Sequence, residues 1–96
     1  MFVQNLRRAA ICQWNGIIYA AGWENGSVWF EYSDDRGRTA GEIIQGQTRT
    51  RVCDAEEQQP AIEILSTSEI VVAVSQGGEV VTYFSSDQGA TWQTAV

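Results

Sequence analysis

Ser85-Ser86-Asp87-Gln88-Gly89-Ala90-Thr91-Trp92 fits the pattern Ser-x-Asp-x-Gly-x-Thr-Trp. Fifty-two residues earlier, Ser33-Asp34-Asp35-Arg36-Gly37-Arg38-Thr39-Ala40 repeats the frame with Ala40 in place of the aromatic. The duplication extends outward from these octets. Residues 8–44 laid on 60–96 at this offset need no gap, and nine of 37 positions are identical, including Ala9/Ala61, Ile18/Ile70, Ala21/Ala73, Gly26/Gly78 and Val28/Val80. About two would coincide by chance in an ordinary composition, so the chain reads as two copies of one unit. Cys12/Ile64, Tyr19/Val71, Tyr32/Phe84 and Ile44/Val96 add conservative pairs.

Each unit reads as short strands broken by turn signals, the pattern of an all-β module. In the first, strands are expected at Ala10–Trp14, Ile17–Trp23, Ser27–Ser33 and Thr39–Gln45. Asn15-Gly16 and Asn25-Gly26 form the hairpin turns, because both residues of such a pair tolerate positive φ. The second unit repeats this with Ala61–Leu65, Glu69–Ser75, Glu79–Ser85 and Thr91–Val96, turning at Gly77-Gly78. Residues 45–59 are expected to be a linker or an outer strand between the units, within a single domain spanning 1–96. The polar run Asp54–Gln59, closed by Pro60, is expected to be a loop, since no helical stripe appears.

The Ser-x-Asp-x-Gly-x-Thr-Trp octet resembles the Asp box, or bacterial neuraminidase repeat, of sialidase-like β-propellers. The resemblance is specific over residues 85–92 and degenerate over 33–40. It implies that each unit is one four-stranded antiparallel blade. It also implies a structural role for Ser33, Asp35, Gly37, Thr39, Ser85, Asp87, Gly89 and Thr91. The Asp carboxylate would accept backbone N–H bonds within its own turn, while Trp92 would pack between blades. Two blades leave greasy flanks uncovered, as Trp23, Trp29, Val71, Val72 and Val81 could not all be buried in one chain. Closure into a ring removes such faces. The chain ends align inside the outer strand and its link, so the expectation is a closed propeller built by homo-oligomerisation, with a six-bladed trimer favoured.

The chemistry is restricted. There is no His and no Lys, and all six cations are Arg. The usual neutral-pH base and Schiff-base chemistry are therefore missing. The arginine triad and Tyr–Glu pair of sialidases find no counterpart, so the expectation is a protein that is not an enzyme. Glu24, Glu31, Glu63 and Glu69 leave a paired-carboxylate glycosidase as a third reading. Cys12 and Cys53 lack metal-ligand spacing, so no metal or cofactor is expected. The net charge of −6 disfavours nucleic acid and anionic membranes as partners. No stretch has transmembrane length, and Met1–Leu6 followed by Arg7-Arg8 runs in the wrong order for a secretory leader. That leaves the cytoplasm or a virus particle. Arg49–Arg51 reads as a charged, blunted outer strand, or else as a local arginine patch suited to meeting acidic groups.

Four Trp and three Tyr make the chain aromatic-rich, which suits sugar faces. The face carrying the second-to-third strand turns and the inter-unit links should hold Trp23, Glu24 and Asn25, with Gln76 as a second-unit counterpart; the alternative for Trp23 and Trp29 is that they fill the space between units. Trp14 falls at the opposite end. The leading expectation is a self-assembling recognition module for glycans. A structural component of a virus particle, such as a phage tail, fibre or decoration protein, is the alternative.

Overall fold

The structure, a computed structural model, describes residues 2–94. The described residues form eight strands: β1 (Arg7–Trp14), β2 (Ile17–Glu24), β3 (Ser27–Ser33), β4 (Thr50–Asp54), β5 (Ala61–Ile64), β6 (Ile70–Gln76), β7 (Glu79–Ser85) and β8 (Gln93–Thr94). They form two four-stranded antiparallel sheets, each with its strands in chain order. No helix of the described residues is long and apolar enough to cross a membrane. At Asn15-Gly16, Asn25-Gly26 and Gly77-Gly78 both turn residues have positive φ. That backbone twist matches the twist of the flanking strands, which explains the tight hairpins there.

Two expectations are corrected. The first sheet's outer strand is not Thr39–Gln45 but β4, which pairs with Ser27–Phe30. Gly41 N–H still donates to Tyr32 C=O at 2.7 Å, yet the chain then leaves the sheet. It closes a small hairpin in which Ile43 and Ile44 N–H both donate to Gln47 C=O. The Tyr32 ring lies 2.3 Å from where a Cβ on Gly41 would sit. A side chain there would collide, so position 41 serves as a crossing point of chain and ring rather than as strand. In the second unit the outer strand is the short β8, with Ala95 and Val96 outside the described residues.

The repeat also carries a shift that gapless alignment misses. Ile11 faces Ala20 across β1–β2, whereas Ile62 faces Val72 across β5–β6. Five residues separate Ile64 from Ile70 where four separate Gln13 from Ile18. Ala10 and Ile11 therefore correspond to Ala61 and Ile62, and Cys12 to Glu63, replacing the pairings Ala9/Ala61 and Cys12/Ile64. A one-residue difference in a connection exchanges the faces of the whole strand, because side chains alternate.

The core lies between the sheets. Ala21, Val28, Phe30 and Val52 of the first meet Ile70, Val72 and Val74 of the second. Strand alternation accounts for this choice of faces: Val28, Phe30 and Tyr32 point one way along β3, and Ser27, Trp29, Glu31 and Ser33 the other. Innermost strands approach each other, with β1 and β2 lying against β5. Of the expected loop Asp54–Gln59, residues 55–59 carry no helix or strand, while Asp54 ends β4.

Candidate functional site

The two octet loops adopt the same hydrogen-bond pattern. In the second, Ser85 Oγ donates to Asp87 Oδ1 at 2.6 Å and accepts from Gly89 N–H at 2.8 Å. Asp87 Oδ1 also accepts Thr91 N–H at 2.9 Å, and Oδ2 accepts the Thr91 hydroxyl. Ser33, Asp35, Gly37 and Thr39 reproduce each bond in the first loop. The serine hydroxyl thus takes the glycine N–H, a share of the work that the resemblance assigned to the carboxylate. These bonds favour the charged carboxylate. The Ser85 hydroxyl, followed by that of Thr91, holds Asp87 down at about 2, and the Thr39 hydroxyl leads the same downward shift at Asp35. Carboxylates so committed are poor proton donors at neutral pH.

Gly89 has φ of +92° and sits beneath the Phe30 ring, 2.3 Å from where a Cβ would be. Trp92 meets Phe30 edge to face at 5.3 Å and donates from Nε1 to Thr50 Oγ1. Thr50 Oγ1 in turn donates to Gly89 C=O at 2.7 Å. The second loop therefore fastens one sheet to the other.

At the opposite end of the sheets, an open cleft of about 430 Å³ is lined by Asn5, Leu6, Arg7, Trp23, Glu24 and Asn25. Asn25 occupies the tip of the β2–β3 turn, and Trp23 is held by donation of its indole N–H to Ala55 C=O at 2.7 Å. Beside the cleft, Arg49 joins Glu24 Oε1 at 2.6 Å, Glu31 and the Gln4 carbonyl. Glu31, 2% exposed, accepts Val3 N–H at 2.8 Å through its second oxygen. Arg49 is therefore a clamp on the N-terminal segment, not a blunted strand edge. It lies one residue before β4, while Arg51, on β4, is exposed and reaches Asp54.

Trp14 lies elsewhere, at the octet end, in a cleft of about 360 Å³ with Asn15, Tyr19, Tyr32, Ser68 and Gln88. Gln76 lines neither cleft. Its amide donates to Asp54 C=O and its carbonyl accepts the Tyr83 hydroxyl, so it bridges the sheets. Cys12 and Cys53 are free thiols, both pushed up by burial.

No family model, curated protein or solved structure matches this chain. Geometry alone distinguishes the two ends of the molecule. The link end gathers a tryptophan, two asparagines, a carboxylate and an arginine around one opening. Sequence reading brought Trp23, Glu24 and Asn25 together there, but it missed Asn5, Arg7, Glu31 and Arg49. Glu31 alternates with Ser27 and Ser33 on one face of its strand, so no local signal marked its burial.

Proposed function

We propose that this chain is a non-catalytic Asp-box module that completes a closed, six-bladed propeller with copies of itself and recognises carbohydrate at the link-end cleft. The observation that carries this reading is the convergence of Trp23, Glu24, Asn25, Asn5 and Arg7 on one open, polar cavity. The amide and charged groups satisfy sugar hydroxyls in several directions, while Trp23, packed against the core, offers the cleft the part of its indole left uncovered. Closure is supported by Ile11 and Val80, large aliphatic side chains that stand exposed on the two outward sheet faces. A non-catalytic role is supported by the fate of the carboxylates. Asp35 and Asp87 are spent within their loops, and Glu24 and Glu31 share Arg49.

The test is a glycan array with folded, assembled protein, followed by titration of positive glycans against Trp23→Ala. Binding that weakens about tenfold in the variant, a change of about 1.4 kcal/mol, supports the cleft. An array without signal sinks the carbohydrate reading and favours a purely structural role in a larger particle.

A further inference from the structure

The interface between the two sheets has two halves, and each half has a repeat-related counterpart on the outside of the molecule. Val28 of the first sheet is fully buried in that interface; its counterpart Val80, on the outward face of the second sheet, is 77% exposed. Ile62 of the second sheet packs against the core; its register-corrected counterpart Ile11, on the outward face of the first, is 59% exposed. Large aliphatic side chains thus stand in water at two positions whose counterparts meet a neighbouring sheet.

Several other outward positions carry smaller residues than their counterparts, although Trp29 on the first sheet is larger than its counterpart Val81. Thr82 stands where the first unit has Phe30, and Ser75 where it has Trp23. On the other side, Gly22 and Ala20 stand where the second unit has Val74 and Val72, and Ala40 where it has Trp92. Residues 2–6 occupy the space left on the first sheet. Phe2 is 6% exposed and its ring lies 3.8 Å from where a Cβ on Gly37 would be, over the same loop glycine that Phe30 covers in the second unit. Leu6 lies 3.0 Å from where a Cβ on Gly22 would be. The segment is a strap taking the volume that a bulkier sheet surface fills in the internal interface.

We propose that the outward face of the second sheet docks, head to tail, on the outward face of the first sheet in a second copy of this chain, with the strap as the filling layer between them. The inference rests on the assembly reading above and gives it an interface. Val80 reaches the partner's Ile11 side, and Thr82 and Ser75 leave room for the strap that Phe30 and Trp23 would obstruct. Such a contact joins two different faces, so it propagates until a ring closes.

The test measures the solution mass of the full chain by sedimentation. Val80→Glu and Ile11→Glu alter exposed positions, so each variant keeps its fold, checked by circular dichroism. Each alone is expected to fall to single chains. An equal mixture is expected to recover pairs and nothing larger, because each pair then retains one unaltered Val80–Ile11 contact. Thr82→Phe is expected to weaken association roughly tenfold by crowding the strap. If wild type assembles and the glutamate variants assemble equally, or their mixture stays as single chains, this interface is wrong while a ring built otherwise survives. Wild type that stays a single chain at all concentrations overturns both. An unaltered mass for Thr82→Phe overturns the strap's role. Glycan binding enters none of these readouts.

Discussion

Ser85 Oγ accepts N–H bonds from Gly89 and Asp87 and gives its own proton to Asp87, so one hydroxyl organises a turn of five residues. The sequence pattern singled out every member of this network, because Ser, Asp, Gly and Thr at alternate positions suit a side-chain-capped turn. It did not reveal that the serine would carry the glycine N–H. The acid response follows from the carboxylates. Folded Asp87 titrates at about 2 and Asp35 is lowered too, both below the ordinary value of 3.8. Their stabilising contribution is therefore complete above the unfolded value and is lost as pH falls through the folded one. Thermal unfolding of wild type should be flat at mild acidity and drop between about pH 4 and pH 2. The double variant Asp35→Asn, Asp87→Asn should show a shallower drop in that window. Both carboxylates face solvent, so the effect is modest. An equally steep drop in the double variant would remove the loops as its cause.

The outer strand β4 is where a local reading of strand pattern fails and long-range pairing prevails. Thr39–Gln45 had the expected position after the turn, but Gly41 lies against the Tyr32 ring and the chain detours before Thr50–Asp54 completes the sheet. The detour delivers Arg49 to Glu31, whose carboxylate is buried on β3. Removing the guanidinium would leave that charge without its partner, a loss of about 3 kcal/mol for a buried pair with one partly exposed member. Arg49→Ala should accordingly lower the urea midpoint and speed hydrogen exchange at the Val3 amide, which donates to Glu31. Arg49→Met with Glu31→Gln should recover most of the stability, because the buried charge is gone and Glu24, the other partner of Arg49, is partly exposed to water. Stability unchanged in the single variant would mean that the clamp contributes nothing net.

For the molecule as a unit, cohesion between the sheets runs through Phe30. Its ring is fully buried, covers Gly89 and meets Trp92, so one side chain from β3 touches the loop and the aromatic of the other sheet. Phe30→Ala should cost about 3–5 kcal/mol in chemical denaturation, the range for losing a buried aromatic ring. The Trp92 environment should become wetter, shifting fluorescence to the red. A loss below about 1 kcal/mol would show that the sheets are held together elsewhere. The same interface explains part of the asymmetry of the exterior: Phe30, Trp23, Val74 and Trp92 have Thr82, Ser75, Gly22 and Ala40 as their counterparts.

Repetition, turn chemistry and strand alternation are properties of neighbouring residues, so they were written in the chain itself. The two units, Ser27–Ser33 and Glu79–Ser85 as strands, the Asn-Gly hairpins and the octet loops were all legible for that reason. The place of β4, the one-residue slip of β5, the burial of Glu31 under Arg49 and the seating of Phe2 over Gly37 were not. Each depends on which distant segment fills a space or answers a charge, and only the folded arrangement of the two sheets makes that choice.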